Sequence, residues 1–208
     1  MKKHVICLLV GISLLTACTN EDVSQKQSNT KENFGLLHLN MRLSPYDCGY
    51  IFEDGLAQIM EQKELGKVTG SGVALEHGMP ITCDIELSID KSKEEYFISF
   101  VRHLNNIAKG SYLEIGDKKI DVGVLEGLSL RLDGIHLEQK VYKENDVNDI
   151  IDEIGQLLGN NGLYYSNYVG SEYTYLYFYG SSYDKMKGII ENYVKDCPLC
   201  ENSFVEKV

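Results

Sequence analysis

Two stretches of this 208-residue chain pass through the same succession of hydrophobic periods, and any fold has to accommodate both copies. In the first, Leu37, Leu39, Met41 and Leu43 alternate with His38, Asn40 and Arg42, the period of two that marks a strand with one buried face. Phe52, Leu56, Ile59 and Met60 then recur at helical spacing, and the pattern stops near Gly66. Residues 71–76 and 81–89 alternate again around His77-Gly78-Met79-Pro80, a turn composition, and predict a hairpin. A second helix carries Phe97, Phe100, Val101, Leu104 and Ile107 on one stripe, with Ser92 and Glu95 spaced to cap it reciprocally. Residues 111–115 supply a closing strand.

The second copy opens with Leu128, Leu130 and Leu132 alternating with Ser129, Arg131 and Asp133. After an intervening segment, Val147, Ile150, Ile151, Ile154, Leu157 and Leu158 mark a helix with Asn145 as its expected cap. Residues 164–169 and 173–179 predict a hairpin. Met186, Ile189, Ile190, Tyr193 and Val194 mark another helix, and residues 203–208 a last strand. The order βαββαβ, read twice, is that of the ferredoxin-like split βαβ sandwich. The expected fold class is therefore α+β, two tandem ferredoxin-like units at residues 34–116 and 117–208, joined through 116–125, where Gly116-Asp117 begins a turn.

A sheet of this kind is covered by helices on one face, and its second face is open or packed on a neighbour. Strand alternation places His38, Asn40, Arg42, Thr82, Asp84, Glu86 and Ser88 on that face in the first unit. In the second unit it places Ser129 and Arg131 with Tyr173, Tyr175, Tyr177 and Tyr179, within a run of eight tyrosines between Tyr164 and Tyr183. Tyrosine joins an apolar body to a polar tip and is enriched at interfaces. Asp84, Glu86, Arg131, Tyr173, Tyr175, Tyr177 and Tyr179 are accordingly the candidate partner-binding residues; β-propensity and packing between the units account for the tyrosines as well.

The N-terminus has the layout of an export signal: Lys2 and Lys3, then an apolar run over residues 5–15 too short to span a bilayer. Leu15-Thr16-Ala17-Cys18 resembles the lipobox of bacterial lipoproteins. That resemblance implies removal of residues 1–17, acylation at Cys18 and a membrane anchor of several buried chains. An ordinary signal peptide cut near Ala17 is the alternative. Residues 18–33 read as a polar, lipidated tether. No Asp follows Cys18, and Glu21 and Asp22 resemble the short acidic tracts of surface lipoproteins in Bacteroidota. The expected location is the bacterial cell envelope, at the outer membrane.

The formal charge is −11, from 20 basic and 31 acidic residues; loss of Lys2 and Lys3 with the signal makes it −13. That balance argues against nucleic acid and against anionic lipid surfaces, and fits a basic protein partner or simple solubility. Of the six cysteines, Cys48, Cys83, Cys197 and Cys200 remain in the body after Cys18. Cys83 alternates with Ile81, Ile85 and Leu87, as a small apolar residue on a buried strand face does. Cys197-Pro-Leu-Cys200 follows a helix, at the end where the dipole disfavours a thiolate, so it reads as a local disulfide or two unrelated thiols.

No catalytic constellation is expected. His38, His77, His103 and His136 have no acid or nucleophile at a recognisable spacing, and neither a nucleophile elbow, a metal-binding helix nor a phosphate loop occurs. Gly70-Ser71-Gly72 enters a strand rather than a helix. Asp84 and Glu86, roughly 6–7 Å apart by strand rise, approach the spacing of glycosidase carboxylates, which acids on exposed strands also share. Asp149 and Glu153, a helical turn apart, read as a solvated acidic face, with a basic partner or loosely held calcium as alternatives. No cofactor or metal is expected.

The lipobox, the small acidic body and the stretches Gly70-Ser71-Gly72-Val73-Ala74-Leu75 and Cys83-Asp84-Ile85-Glu86-Leu87 resemble immunity-type lipoproteins of contact-dependent antibacterial toxin systems in Bacteroidota. The resemblance implies a lipid-anchored, non-enzymatic protein that blocks a toxin by occupying its surface. A surface lipoprotein that binds a glycan or joins an outer-membrane assembly is the alternative.

Overall fold

The computed structural model describes residues 31–208. The signal, Cys18 and nearly all of the tether lie outside the described residues. The first sheet begins with β1 (Glu32–Leu39), from which the chain departs with Met41 and Leu43 still fully buried. The Ser44 side chain accepts from the Asp47 backbone N–H and opens a short turn, α1 (Pro45–Asp47), with proline in the first helical turn, where no backbone donor is missed. A π-helical stretch (Cys48–Glu53) leads into α2 (Asp54–Gln62).

β2 (Gly66–Glu76) and β3 (Met79–Asp90) form the predicted hairpin. Its turn is made by His77 and Gly78, both at positive φ (51° and 83°), the backbone that suits a two-residue connection between twisted strands. The next helix, α3 (Glu94–Arg102), starts later than expected. The Asp90 side chain accepts from the Ser92 N–H at 2.8 Å and shapes a 3-10 turn ahead of it, so the reciprocal cap expected of Ser92 and Glu95 is not formed. β4 (Ser111–Ile115) follows.

The segment expected to join the units is itself a strand: β5 (Lys118–Val122) turns at Gly116 and pairs antiparallel with β4. β6 (Glu126–Asp133), α4 (Gln139–Glu144), α5 (Val147–Leu158), β7 (Gly162–Val169), β8 (Tyr173–Gly180), α6 (Tyr183–Asp196) and β9 (Phe204–Lys207) complete the chain. The cap of α5 is Asp146, which accepts from the Asn148 N–H, rather than Asn145. Among the described residues no helix is long and apolar enough to cross a membrane.

The architecture is α+β with two antiparallel sheets, ordered β2-β3-β1-β4-β5 and β7-β8-β6-β9. In the first, Leu37, Leu39, Ile85, Leu87, Leu113 and Ile115 meet Leu56 and Met60 of α2 and Phe97 and Val101 of α3. In the second, Leu128, Leu130, Leu132, Leu176 and Phe178 meet Ile150, Ile154 and Leu158 of α5 and Met186 and Ile190 of α6. Each such side chain taken fully from water contributes roughly 1.5–3 kcal/mol, which is why the alternation of the sequence carries through to the sheets.

Cys83 does lie on the buried strand face, but it is not merely a small apolar residue. It is bonded to Cys48 across 35 positions, with Cα atoms 6.2 Å apart, and pins the π-helical stretch to β3. Cys197 and Cys200 are both free, so the local disulfide is not present.

Candidate functional site

Helices cover only one face of the first sheet, and the other face carries two cross-strand rows. One row runs Gly72, Asp84, His38, Tyr112 and Asp121 across β2, β3, β1, β4 and β5; the next runs Gly70, Glu86, Leu36, Glu114 and Lys119. His38 Nδ1 donates to Asp84 at 2.6 Å. The imidazole stacks on Tyr112, with centroids 4.5 Å apart and planes at 17°. Lys119 Nζ lies 3.3 Å from the Tyr112 ring centroid and 3.3 Å from Glu114. Phe34, Leu36, Thr69, Glu86 and Glu114 border a hollow of about 590 Å³, and Phe34 is 78% exposed.

Asp84 and Glu86 therefore stand where strand alternation placed them. Glu86 is exposed, whereas Asp84 is engaged by His38. Ser88 is buried against Glu32, and Asn40 and Arg42 lie past the end of β1, outside the face assigned to them. Tyr112, Glu114 and Lys119 escaped the sequence reading, although Tyr112 and Glu114 alternate with Leu113 and Ile115 as surface residues do. The histidine reading also needs correction. His38 meets an acid 46 positions away, and His136 Nδ1 lies 3.0 Å from Asp133, three positions away.

The tyrosine ladder is not a free surface. Tyr177 (1% exposed) and Tyr179 (2%) are sealed into the core of the first unit, together with Tyr165. Tyr179 accepts the Arg42 N–H at 2.6 Å; Ser166 Oγ accepts the Ser44 N–H at 2.9 Å and donates to Asp47 at 2.6 Å. Burial pushes the Tyr179 hydroxyl up to about 12 and raises Tyr177 further. Tyr177 and Tyr179 thus hold the units together, and a role for them in binding a partner is withdrawn. Tyr173 and Tyr175 are only partly covered, and the Arg131 guanidinium carbon lies 4.8 Å from the Tyr173 ring centroid and 5.3 Å from that of Phe204.

Beside the helix that carries Asp149 and Glu153 lies a second hollow, about 320 Å³, bordered also by Asp196, Tyr193 and Cys197. Burial holds the Cys200 thiol well above its usual range, and Cys197 beside it adds to the shift, so neither charge nor dipole favours a thiolate there. Among the described residues no group of three or more His, Cys, Asp or Glu side chains is arranged to hold a metal ion.

No protein-family model matches the chain, and no curated protein matches it. A solved structure described as an anthrone oxidase-like protein is similar over 84% of this chain and 90% of its own, at 11% identity and a TM-score of 0.25. A likeness at that level carries no argument about fold or activity.

Proposed function

We propose that this chain is a lipid-anchored, non-enzymatic binding protein of the bacterial envelope, of the immunity type, which blocks a protein partner with the uncovered face of its first sheet. The observation that carries this reading is that face: aromatic, acidic and partly apolar side chains in two cross-strand rows, with Phe34 exposed at its margin. Buried aromatic anchors ringed by charge are the composition of interface centres. The acidic excess of the chain steers a basic partner toward it.

The finer fold assignment belongs to the same proposal. Two ferredoxin-like units in tandem are supported by the strand orders β2-β3-β1-β4 and β7-β8-β6-β9, each with its opening strand between the third and fourth of its unit. The tether and Cys18 would hold the body within reach of the outer membrane, since fourteen or so residues extend at most about 3.3–3.6 Å each.

Capture from native envelope extracts tests the face. The wild-type protein is expected to retain one protein partner, and a His38→Ala, Asp84→Ala, Glu86→Ala variant with an unchanged fold to lose it. Retention of the same partner by that variant overturns the assignment. Metabolic labelling with an alkyne fatty acid tests the anchor: label is expected in the wild type and none in Cys18→Ala.

A further inference from the structure

Most asparagine side chains of this molecule are engaged by other protein groups. Of the eleven asparagines among the described residues, seven hold such a side-chain hydrogen bond. The four that hold none are Asn105, Asn106, Asn160 and Asn192. Asn192 stands exposed on α6, but the other three come together at one hollow of about 330 Å³ between the two units. Asn105 and Asn106 reach it from the segment between α3 and β4, and Asn160 from the 3-10 turn Gly159–Asn161 that links α5 to β7. Both segments are pinned next to these residues. The Ile107 carbonyl accepts the Val124 and Leu125 N–H groups at 2.8 and 3.0 Å, and Asn161 Nδ2 donates to the Leu158 carbonyl at 2.9 Å. Little backbone freedom is therefore lost when a ligand is held there.

The hollow carries no charge. None of its twelve bordering residues is Asp, Glu, Lys, Arg or His, in a chain of which 25% is charged. Such a lining gives an ion nothing to pair with, and suits a ligand that is polar and neutral. Each asparagine amide offers two N–H donors and a carbonyl acceptor. A hydroxyl both donates and accepts, so one amide can serve neighbouring hydroxyls with both of its ends. Leu163, 62% exposed at the margin, adds an apolar surface for the carbon side of a ring. The volume lies at the small end of the range for ligand pockets, roughly 300–1,000 Å³, and a boundary between units is a usual place for one.

We propose that this hollow binds a short neutral saccharide, whose hydroxyls pair with the amides of Asn105, Asn106 and Asn160 and whose carbon face rests on Leu163. A peptide main chain is neutral and polar too, but it is taken up along a free strand edge or as a helix in an apolar groove. The only edge strand here is β7, which meets the hollow with its first half and is interrupted there by an irregularity between Tyr164 and Ser166. Bulges of that kind blunt an edge against further pairing. The site lies apart from the first-sheet face assigned above, goes beyond that reading, and is tested without it.

An array of neutral oligosaccharides built on glucose, galactose, mannose and N-acetylglucosamine tests the site with the purified protein. At least one chain is expected to bind. Its titration should shift the side-chain amide resonances of Asn105, Asn106 and Asn160 saturably in ¹⁵N spectra while that of Asn192 stays in place. Asn106→Ala and Asn160→Asp, each with an unchanged backbone amide spectrum, are expected to weaken binding about tenfold, and Asn192→Asp to leave it unchanged. No binding on the array, or binding that leaves the three amides unmoved, overturns the proposal. So does equal weakening by Asn160→Asp and Asn192→Asp. A tighter response to hexaglycine, a neutral main chain without hydroxyls, overturns the saccharide in favour of a peptide. A tighter response to oligogalacturonate overturns the neutral lining as the selecting feature. None of these outcomes bears on Asp84 and Glu86, so failure here leaves the first-sheet face standing.

Discussion

The bond between Cys48 and Cys83 ties a residue at the head of a π-helical stretch to the central part of a long strand, across a loop that includes the whole of α2 and β2. Cross-linking over 35 positions removes chain entropy from the unfolded ensemble, worth roughly 3–4 kcal/mol in the loop-closure description. Reduction, or Cys48→Ala with Cys83→Ala, is expected to lower the melting temperature by many degrees, whereas Cys197→Ser should leave it nearly unchanged. Calorimetry with and without reductant checks both. The pairing was invisible in the sequence because Cys83 serves the strand equally well as an apolar side chain, and nothing in spacing alone joins it to Cys48. Asp133 makes a second residue-scale case. Its carboxylate accepts the backbone N–H groups of His136 and Ile135 and contacts the His136 ring, and the His136 N–H foremost holds it down to about 2 from an ordinary 3.8. A carboxyl with a lowered folded pKa stabilises the fold fully above its unfolded value, and that contribution fades as pH falls from 3.8 toward 2. Asp133→Asn should therefore destabilise the protein at neutral pH, and its deficit relative to wild type should shrink through that window in acid-unfolding curves.

At the scale of elements, side-chain alternation was legible wherever one face of a strand meets a helix. β3, β4, β6 and β8 follow from it, because a shift of one residue would turn every leucine and isoleucine outward, whereas the alternation read from Leu37 to Leu43 overlaps β1 only as far as Leu39. β5 was not legible. Lys118, Lys119 and Asp121 are polar, and only Ile120 and Val122 face inward, so the edge strand reads as a linker. Charged edge strands are a common device against unwanted pairing, and they hide from hydrophobic patterning for the same reason. What holds β5 in place is the return of the chain at Gly123 and its bonds to the loop before β4: Val124 and Leu125 both donate to the Ile107 carbonyl, at 2.8 and 3.0 Å, and Lys109 donates to that of Leu125 at 2.8 Å. Gly123 has φ of 90°, and a Cβ there would collide with the Ala108 carbonyl oxygen. Gly123→Ala combines backbone strain with that clash and should cost well over the roughly 1 kcal/mol typical of point substitutions. Hydrogen exchange is expected to report it first in β5 and β4; faster exchange confined to the second sheet would contradict this placement.

For the molecule as a whole, the question the sequence left open was whether the tyrosine side of the second sheet meets solvent or the first unit. It meets the first unit, through Tyr165, Tyr177 and Tyr179, and strand alternation has no means of distinguishing the two because a buried interface and an exposed ladder ask for the same β-forming, amphipathic side chain. The consequence is cooperative folding. Separating the units would strand the Arg42 and Ser44 N–H bonds and expose three aromatic rings, so the body should melt in a single calorimetric transition whose van't Hoff and calorimetric enthalpies agree. Tyr179 also sets an alkaline limit. Burial raises its hydroxyl from 10.0 to about 12, so the folded state keeps a proton that the unfolded chain releases. The associated stability is complete below pH 10.0 and is lost as pH climbs through about 12. Tyr179→Phe removes the acceptor of the Arg42 N–H, which should cost about 1–3 kcal/mol at neutral pH, and it removes the ionisable group as well. Its stability curve should therefore start lower than that of the wild type and decline less steeply between those two pH values. A curve that runs parallel to the wild type throughout would mean that the hydroxyl is open to solvent and that the units are not packed through it.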